Sequence, residues 1–305
     1  MKRFIVGILF FFVAVALIDF IFGATCKYLM GHVKGGFTRT HGYIAHQCNE
    51  DVLILGSSRA MHHYDPDIIQ DSLGLSCYNC GMDGNGILYL YSRYLMVKNH
   101  HTPKLIIYDV TYSYDLMKDD HSRYLGWQKR YCDMPGVMDV ICDINQSERW
   151  KLKSNLYRFN GAFLQLFSDN IHVLHKFNEN GYQPLYSKMD YEPTSEYIKP
   201  IKWDSIKKKY FERIVADCRR NGIQFVVTYS PQYSAVSSDV YKEMTDFCKS
   251  YGIVLIDHYA DIYFKKMDWF ADSSHLNDTG AKEYTRMLMS EIRQNYKHPI
   301  PFSCQ

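Results

Sequence analysis

The chain has 305 residues, enough for one large α/β domain with an insertion or for two small domains. Hydrophobic residues make up 47% and charged residues 22%, a globular balance that excludes a disordered chain. A net charge of +2 carries no electrostatic footprint for nucleic acid, so no such partner is expected.

Met1-Lys2-Arg3 is followed by Phe4 to Ala24, apolar except for Gly7, Asp19 and Gly23. About 20 apolar residues cross a bilayer, so residues 1–25 read as a transmembrane signal anchor. Asp19 sits toward the far end, where its carboxylate reaches the interface. A cleavable signal peptide is the competing reading. Against it, Phe22-Gly23-Ala24 puts a bulky residue where a small one is wanted, and Gly23-Ala24-Thr25 before Cys26 lacks the lipoprotein pattern. Lys2 and Arg3 are expected inside. That makes a single-pass protein of the cytoplasmic (inner) membrane, extracytoplasmic after about residue 25.

Residues 26–49 are polar, without a strong pattern, and read as a tether; 50–305 is the expected main domain. Asp51–Leu55 is strand-like and empties into Gly56-Ser57-Ser58-Arg59. Asp65 caps a helix with Pro66 in its first turn, closing at Gly74. Ser76–Asn79 is a short second strand, followed by the glycines 81, 84 and 86. Ile87 to about Val97 has helical spacing, and Lys104–Asp109 is a third strand after Pro103. Residues 112–200 fit no β-α unit and read as an inserted helical cap.

Ser205–Asn221 carries Ile206, Tyr210, Ile214, Val215 and Cys218 on one face, with Lys207, Lys208 and Lys209 solvated and Gly222 as the stop. Ile223–Tyr229 and Ile253–Asp257 are the fourth and fifth strands. Asp278 to about Tyr296 forms the last helix, with Ala281, Tyr284, Leu288 and Ile292 inward. Strands alternating with amphipathic helices predict a parallel sheet covered on both faces. The expected fold is therefore a three-layer α/β/α arrangement around five parallel strands.

Nine cysteines leave at least one unpaired in any disulfide scheme. Cys77 and Cys80 read as loop cysteines or a structural disulfide, and Cys142, Cys218 and Cys248 as small core residues. The 26 tyrosines are expected mainly to fill sheet and helix faces, although Tyr-rich surfaces also suit glycans. The pair His62-His63 is unspecific; no metal and no cofactor is expected. Arg59 is expected to pair with a carboxylate in preference to an anionic substrate.

The chemistry resides in two stretches. Ser58 follows a buried strand, and Asp272-Ser273-Ser274-His275 places a carboxylate three residues before a histidine. A serine hydroxyl needs a base to take its proton, and that base needs an orienting group. The competing reading makes Gly-Ser-Ser a turn or cap and Asp272 a turn cap.

These motifs resemble the SGNH (GDSL-like) hydrolase family. Gly56-Ser57-Ser58 is similar to its Gly-Asp-Ser block, with Ser57 in place of aspartate and Ser58 matching the nucleophile. Tyr78 to Gly84 resembles the second block, in which Gly81 offers an N–H to the oxyanion. Asp272 and His275 match the last block. The third block, Gly-x-Asn-Asp, has no counterpart: Val110 to Asp115 stands there without asparagine. Ser113, Tyr112, Tyr114 or Asn85 are the candidate substitute donors.

The resemblance implies an SGNH/flavodoxin-like fold and acyl transfer through Ser58, His275 and Asp272. Membrane-tethered relatives act in O-acetylation or D-alanylation of cell-envelope polymers. An acyl donor, a glycan or other ester substrate, and envelope-polymer machinery are therefore the expected partners, for an esterase or an O-acyltransferase. The alternative is a catalytically silent, membrane-tethered binding or assembly factor. A lipid esterase would need an apolar pocket in 112–200.

Overall fold

The structure, a computed structural model, describes residues 1–171 and 179–295; the expected helix end near Tyr296 and the ninth cysteine, Cys304, lie outside the described residues. Two compact units divide the chain: residues 1–47 with 125–171, and 48–124 with 179–295. In chain order, α1 (Lys2–Gly31) and α2 (Gly36–His46) come first. Next are β1 (Val52–Gly56), α3 (Ser58–His63), α4 (Pro66–Leu73), β2 (Cys77–Asn79), α5 (Ile87–Lys98), β3 (Leu105–Asp109) and α6 (Tyr112–Asp115). Short helices follow: α7 (Leu125–Gln128), α8 (Val137–Ile144), α9 (Glu148–Lys151), α10 (Asn155–Arg158) and α11 (Phe163–Ile171). The remainder is α12 (Ser205–Arg220), β4 (Gln224–Tyr229), α13 (Lys242–Ser250), β5 (Val254–Asp257) and α14 (Asp278–Asn295).

The second unit is an α/β fold on five parallel strands in the order β2-β1-β3-β4-β5. Strands β1 and β3 are buried along their whole length, which is why they read as unbroken apolar runs. On one face Ile54, Ile107, Val226 and Ile256 pack with Tyr284, Leu288 and Ile292 of α14. On the other, the Tyr108 ring meets Phe211 of α12 at 4.8 Å. The outer edge of β2 is covered, since the Asn79 N–H donates to Asn180 O at 2.8 Å. Strand order reverses between β1 and β3, the switch point at whose carboxyl-end crevice open α/β sheets bind ligands. Ser58 stands at that end of β1.

Local signals hold where expected. Asp65 accepts the Asp67 N–H at 3.0 Å, Pro66 opens α4, and Gly74 closes it at φ +66°. Most of the largest fully buried side chains are tyrosines, including Tyr64, Tyr108, Tyr229 and Tyr284, in line with a packing role.

Other expectations are corrected. Lys207 is not solvated: it is fully buried, its Nζ 3.1 Å from Asp119 and donating to Met117 O at 2.5 Å. It shares a helical face with Tyr210, Phe211 and Ile214, and its four-carbon stem packs there while the ammonium finds Asp119. Cys77 and Cys80 form no disulfide; all eight described cysteines are free and buried, Cys142, Cys218 and Cys248 among them. Residues 26–49 are mostly helical: α1 runs on to Gly31 and α2 follows. Contacts distant in sequence impose that order. Cys26 is buried among Phe159, Ala162 and Leu166, and Thr38 donates to Asp169 at 2.6 Å. The stretch 112–200 is helical through α11, whereas residues 179–200 have no helix.

In the first unit, α1 is long and apolar enough to cross a membrane, with a window of mean hydropathy 2.9 that is nowhere buried.

The turn after β1 depends on glycine. Gly56 has φ +149°, and a Cβ there would sit 2.6 Å from both Asp109 O and Ala60 Cβ. Gly56→Ala is expected to lower stability by about 1–3 kcal/mol, read as a reduced urea midpoint with an unchanged slope.

Candidate active site

Ser58 is the first residue of α3, so the sharp turn at Gly56 delivers its side chain to the end of the sheet, half-buried. The Ser58 Oγ lies 2.8 Å from His275 Nε2. On the other side of the ring, Nδ1 lies 2.9 Å and 3.0 Å from the two Asp272 carboxylate oxygens. An ionised carboxylate only accepts, so Nδ1 carries the proton and Nε2 is left to accept from the serine hydroxyl. Asp272 also takes the N–H groups of Ser274 at 2.8 Å and His275 at 3.0 Å. Burial acts to raise its pKa, but the His275 hydrogen bond, the nearby His275 charge and these amides together hold it below the usual carboxylate range. The His275 and Asp272 side chains are 25% and 46% exposed, so solvent reaches the chain of three.

Beneath it runs a buried second chain. His63, five residues after Ser58, accepts the Leu276 N–H at Nε2 over 2.9 Å. Its Nδ1 must then be the donor, to Ser230 Oγ at 3.0 Å, and that hydroxyl donates onward to Asp109 Oδ2 at 2.8 Å. Ser230 N–H donates to the other Asp109 oxygen at 3.0 Å. Every atom has one consistent role, and the chain fastens the residue after His275 to the helix that carries Ser58. His63 is held neutral: burial, with the charges of His275, Arg59 and His62, drives its pKa well below the ordinary histidine value.

Arg59 is buried under the same layer. It donates to Val110 O at 2.6 Å, Tyr241 Oη at 2.7 Å and Ser230 O at 3.3 Å, and its Nε lies 3.9 Å from Asp109. Its guanidinium is thus tied to the ends of β3 and β4 and pairs with a carboxylate, as the sequence suggested. Ser57 is fully buried, and its Oγ has no hydrogen-bond partner among the described residues.

The glycine loop is clamped from two sides. Asn79 donates to Ala60 O at 2.7 Å and Tyr64 O at 3.1 Å, while its Oδ1 takes the Gly81 N–H at 2.9 Å. The amide expected to face an oxyanion is therefore occupied by a side chain of its own loop. A Cβ at Gly81 would lie 2.6 Å from Met61 N, so glycine lets the loop touch α3. Arg93 of α5 donates to Cys80 O at 2.6 Å and Gly81 O at 2.9 Å. Asn85 Nδ2 donates to Asp83 O at 2.8 Å, within the loop. Ser113 is half-buried on α6, and no hydrogen bond joins Ser113 or Asn85 to Ser58. In the missing third block, Asp115 instead ties the turn together. It accepts from Ile87 N–H, Thr111 N–H and Tyr108 Oη, each at 2.8 Å, and burial pushes its pKa up to about 6.

His62 has Nε2 3.2 Å from Asp83 and Nδ1 2.6 Å from Gln183 O, its ring edge-on to His275 at 5.7 Å. Both ring nitrogens are thereby taken, and no metal-holding group occurs among the described residues.

No family model matches the chain, and no curated protein matches it. Among solved structures it is similar to a protein of Bacteroides fragilis described as a "putative acylhydrolase". The match has 9% identity, covers 84% of this chain and 97% of that one, and has a TM-score of 0.39.

Asn79 and His63 were visible to sequence reading only as members of short motifs. His63 carries one usable signal, since residues five apart on a short helix face different sides and only one of Ser58 and His63 can face the crevice. Because the unfolded chain binds a proton that folded His63 refuses, its contribution to stability is full above about pH 6.5 and shrinks as pH falls toward the depressed folded value. His63→Gln does not titrate. The stability difference between wild type and this variant, measured by urea unfolding, is expected to be largest near about pH 7.5 and smaller near about pH 5.

Proposed function

We propose that Ser58, His275 and Asp272 are the nucleophile, base and orienting carboxylate of an SGNH-like serine enzyme that transfers an acyl group from an ester. The observation that carries this is the continuous chain from Ser58 Oγ to His275 Nε2 at 2.8 Å and from Nδ1 to Asp272 at 2.9 Å. It joins residues 217 apart in sequence, and an ionised Asp272 assigns the ring proton to Nδ1, as this role of His275 requires.

In this mechanism Ser58 Oγ attacks the ester carbonyl while His275 Nε2 takes its proton. The imidazolium so formed is stabilised by Asp272, whose carboxylate is kept ionised. Collapse of the tetrahedral intermediate expels the alcohol, which takes the proton from Nε2 and leaves an acyl-serine. Water or a sugar hydroxyl, deprotonated by the same histidine, then takes the acyl group. For the oxyanion, the Ser58 N–H in the first turn of α3 has no acceptor among the described residues. Gly81 N–H joins it only by leaving Asn79 Oδ1.

A membrane-anchored setting and the envelope-polymer relatives support an acetyl or related ester of an exported or envelope glycan as substrate, handled outside the cytoplasmic membrane. The second reading, a silent tethered binding factor, draws on the occupied Gly81 amide and the missing third-block asparagine.

With a chromogenic acetyl ester, Ser58→Ala and His275→Ala are each expected to lower kcat by roughly 10³-fold or more, and Asp272→Asn by about 10²–10⁴-fold. Equal turnover by wild type and Ser58→Ala would remove the serine assignment. A folded wild type inert toward both water and glycan acceptors would favour the silent reading.

A further inference from the structure

Helices α10 and α11 lie along the distal half of α1. The Asp19 carboxylate accepts from Ser154 Oγ at 2.6 Å and from the N–H groups of Asn155 and Leu156 at 2.9 Å each. Further on, the Phe22 and Phe163 rings meet at 5.6 Å, and Asn170 donates to Leu29 O at 3.0 Å. Contacts advancing together on both chains mean that α11 climbs α1 in the same direction. Gly23 allows the approach, since a Cβ there would be 2.3 Å from Asn155 Cγ.

A different face of α11 carries Leu164, Phe167 and Ile171, at spacings of three and four, exposed by 79%, 52% and 56%. Trp150, 68% exposed beneath Lys153 Nζ at 4.1 Å, stands on the helix just before α10 and has the amphipathic character of an interfacial residue.

Length decides what covers the stripe. Phe4–Ile18 stand clear of the rest of the protein and rise about 22 Å at 1.5 Å per residue. The hydrocarbon layer is about 30 Å thick, so a crossing helix must keep roughly five more residues within it. That brings Asp19 to Gly23, and the side chains packed on them, to bilayer depth, with Thr25 and the Lys27–Asp133 ion pair beyond. Asp19 is tolerable there because its carboxylate is enclosed by hydrogen-bond donors.

We infer that α10 and the start of α11 bed into the bilayer beside α1, with Leu164 against acyl chains, Phe167 at the hydrocarbon boundary and Ile171 rising to the headgroup level. This rests on reading α1 as membrane-spanning. The first unit is then a seat of several helices in the membrane surface, not a single-helix tether.

The test uses the full chain carrying Cys304→Ser, because the other cysteines are buried. Single cysteines replace Phe12, Leu164, Phe167, Ile171 or Lys249 and carry a fluorophore. The protein is placed in phosphatidylcholine–phosphatidylglycerol vesicles containing nitroxide-labelled acyl chains, with iodide as the aqueous quencher. The label at 164 is expected to be quenched by lipid nitroxide several-fold more than at 249 and shielded from iodide, with 167 and 171 intermediate. Iodide quenching at 164 equal to that at 249 would overturn the inference. So would shielding from both quenchers, which would mean that protein, such as a second copy, covers the stripe. The label at 12 separates the two readings. Nitroxide quenching at 12 but not at 164 refutes only the seat, whereas none at 12 refutes the spanning of α1 and the seat with it.

Discussion

The Leu276 amide is gripped by a histidine that has to remain neutral, and the arrangement at the crevice depends on that bond. Leu276 follows His275 directly, and His63 sits on the helix that Ser58 begins. One hydrogen bond therefore sets the distance between two segments more than two hundred residues apart. It is itself held by Ser230 and Asp109, at the ends of β4 and β3. Ser58 at the start of α3, His275 and Ser230 in loops and Asp109 at a strand end all lie at one rim of the sheet. The parallel register there brings Gly56 beside Asp109 and Asp109 beside Thr228.

Burying charged side chains is tolerable here because Arg59, Lys207 and Asp115 each meet a partner suited to their charge. Arg59 collects the carbonyls that β3 and β4 leave unpaired where they end, and Asp109 faces it. Lys207 meets Asp119, and Asp115 takes two amides and a phenol. Partners of this kind favour one arrangement over near alternatives, because a shifted loop would strand a charge in an apolar layer. In the first unit Asp19 follows the same rule with uncharged donors at the start of α10.

Much of the fold could be read in advance because its signals are local. Buried strands announce themselves as apolar runs, α4 by Asp65, Pro66 and Gly74, and α12 and α14 by helical spacing. Asp272 and His275 were legible for a related reason: three residues on one turn keep carboxylate and imidazole in reach whatever the rest of the chain does. Lys207 misled because a charged residue on an apolar face reads as solvated until its counter-ion is known. Residues 26–49 misled because their helices are ordered by contacts to residues beyond 150, which leave no period in the sequence itself.

What the sequence determined by itself was therefore the five strands, helices α4, α5, α12 and α14, the parallel α/β class, the apolar first helix and the local acid–histidine turn. Each follows from backbone propensity, hydrophobic spacing or a hydrogen bond within a few residues. Only tertiary structure decided that His275 meets Ser58, that Asn79 ties the glycine loop to the carbonyls of Ala60 and Tyr64, and that His63 supports the histidine loop. Those outcomes depend on strand order and register across the sheet, which bring distant side chains within about 3 Å of one another. Over that range a change of one residue in register exchanges the partners, and no short stretch of sequence encodes it.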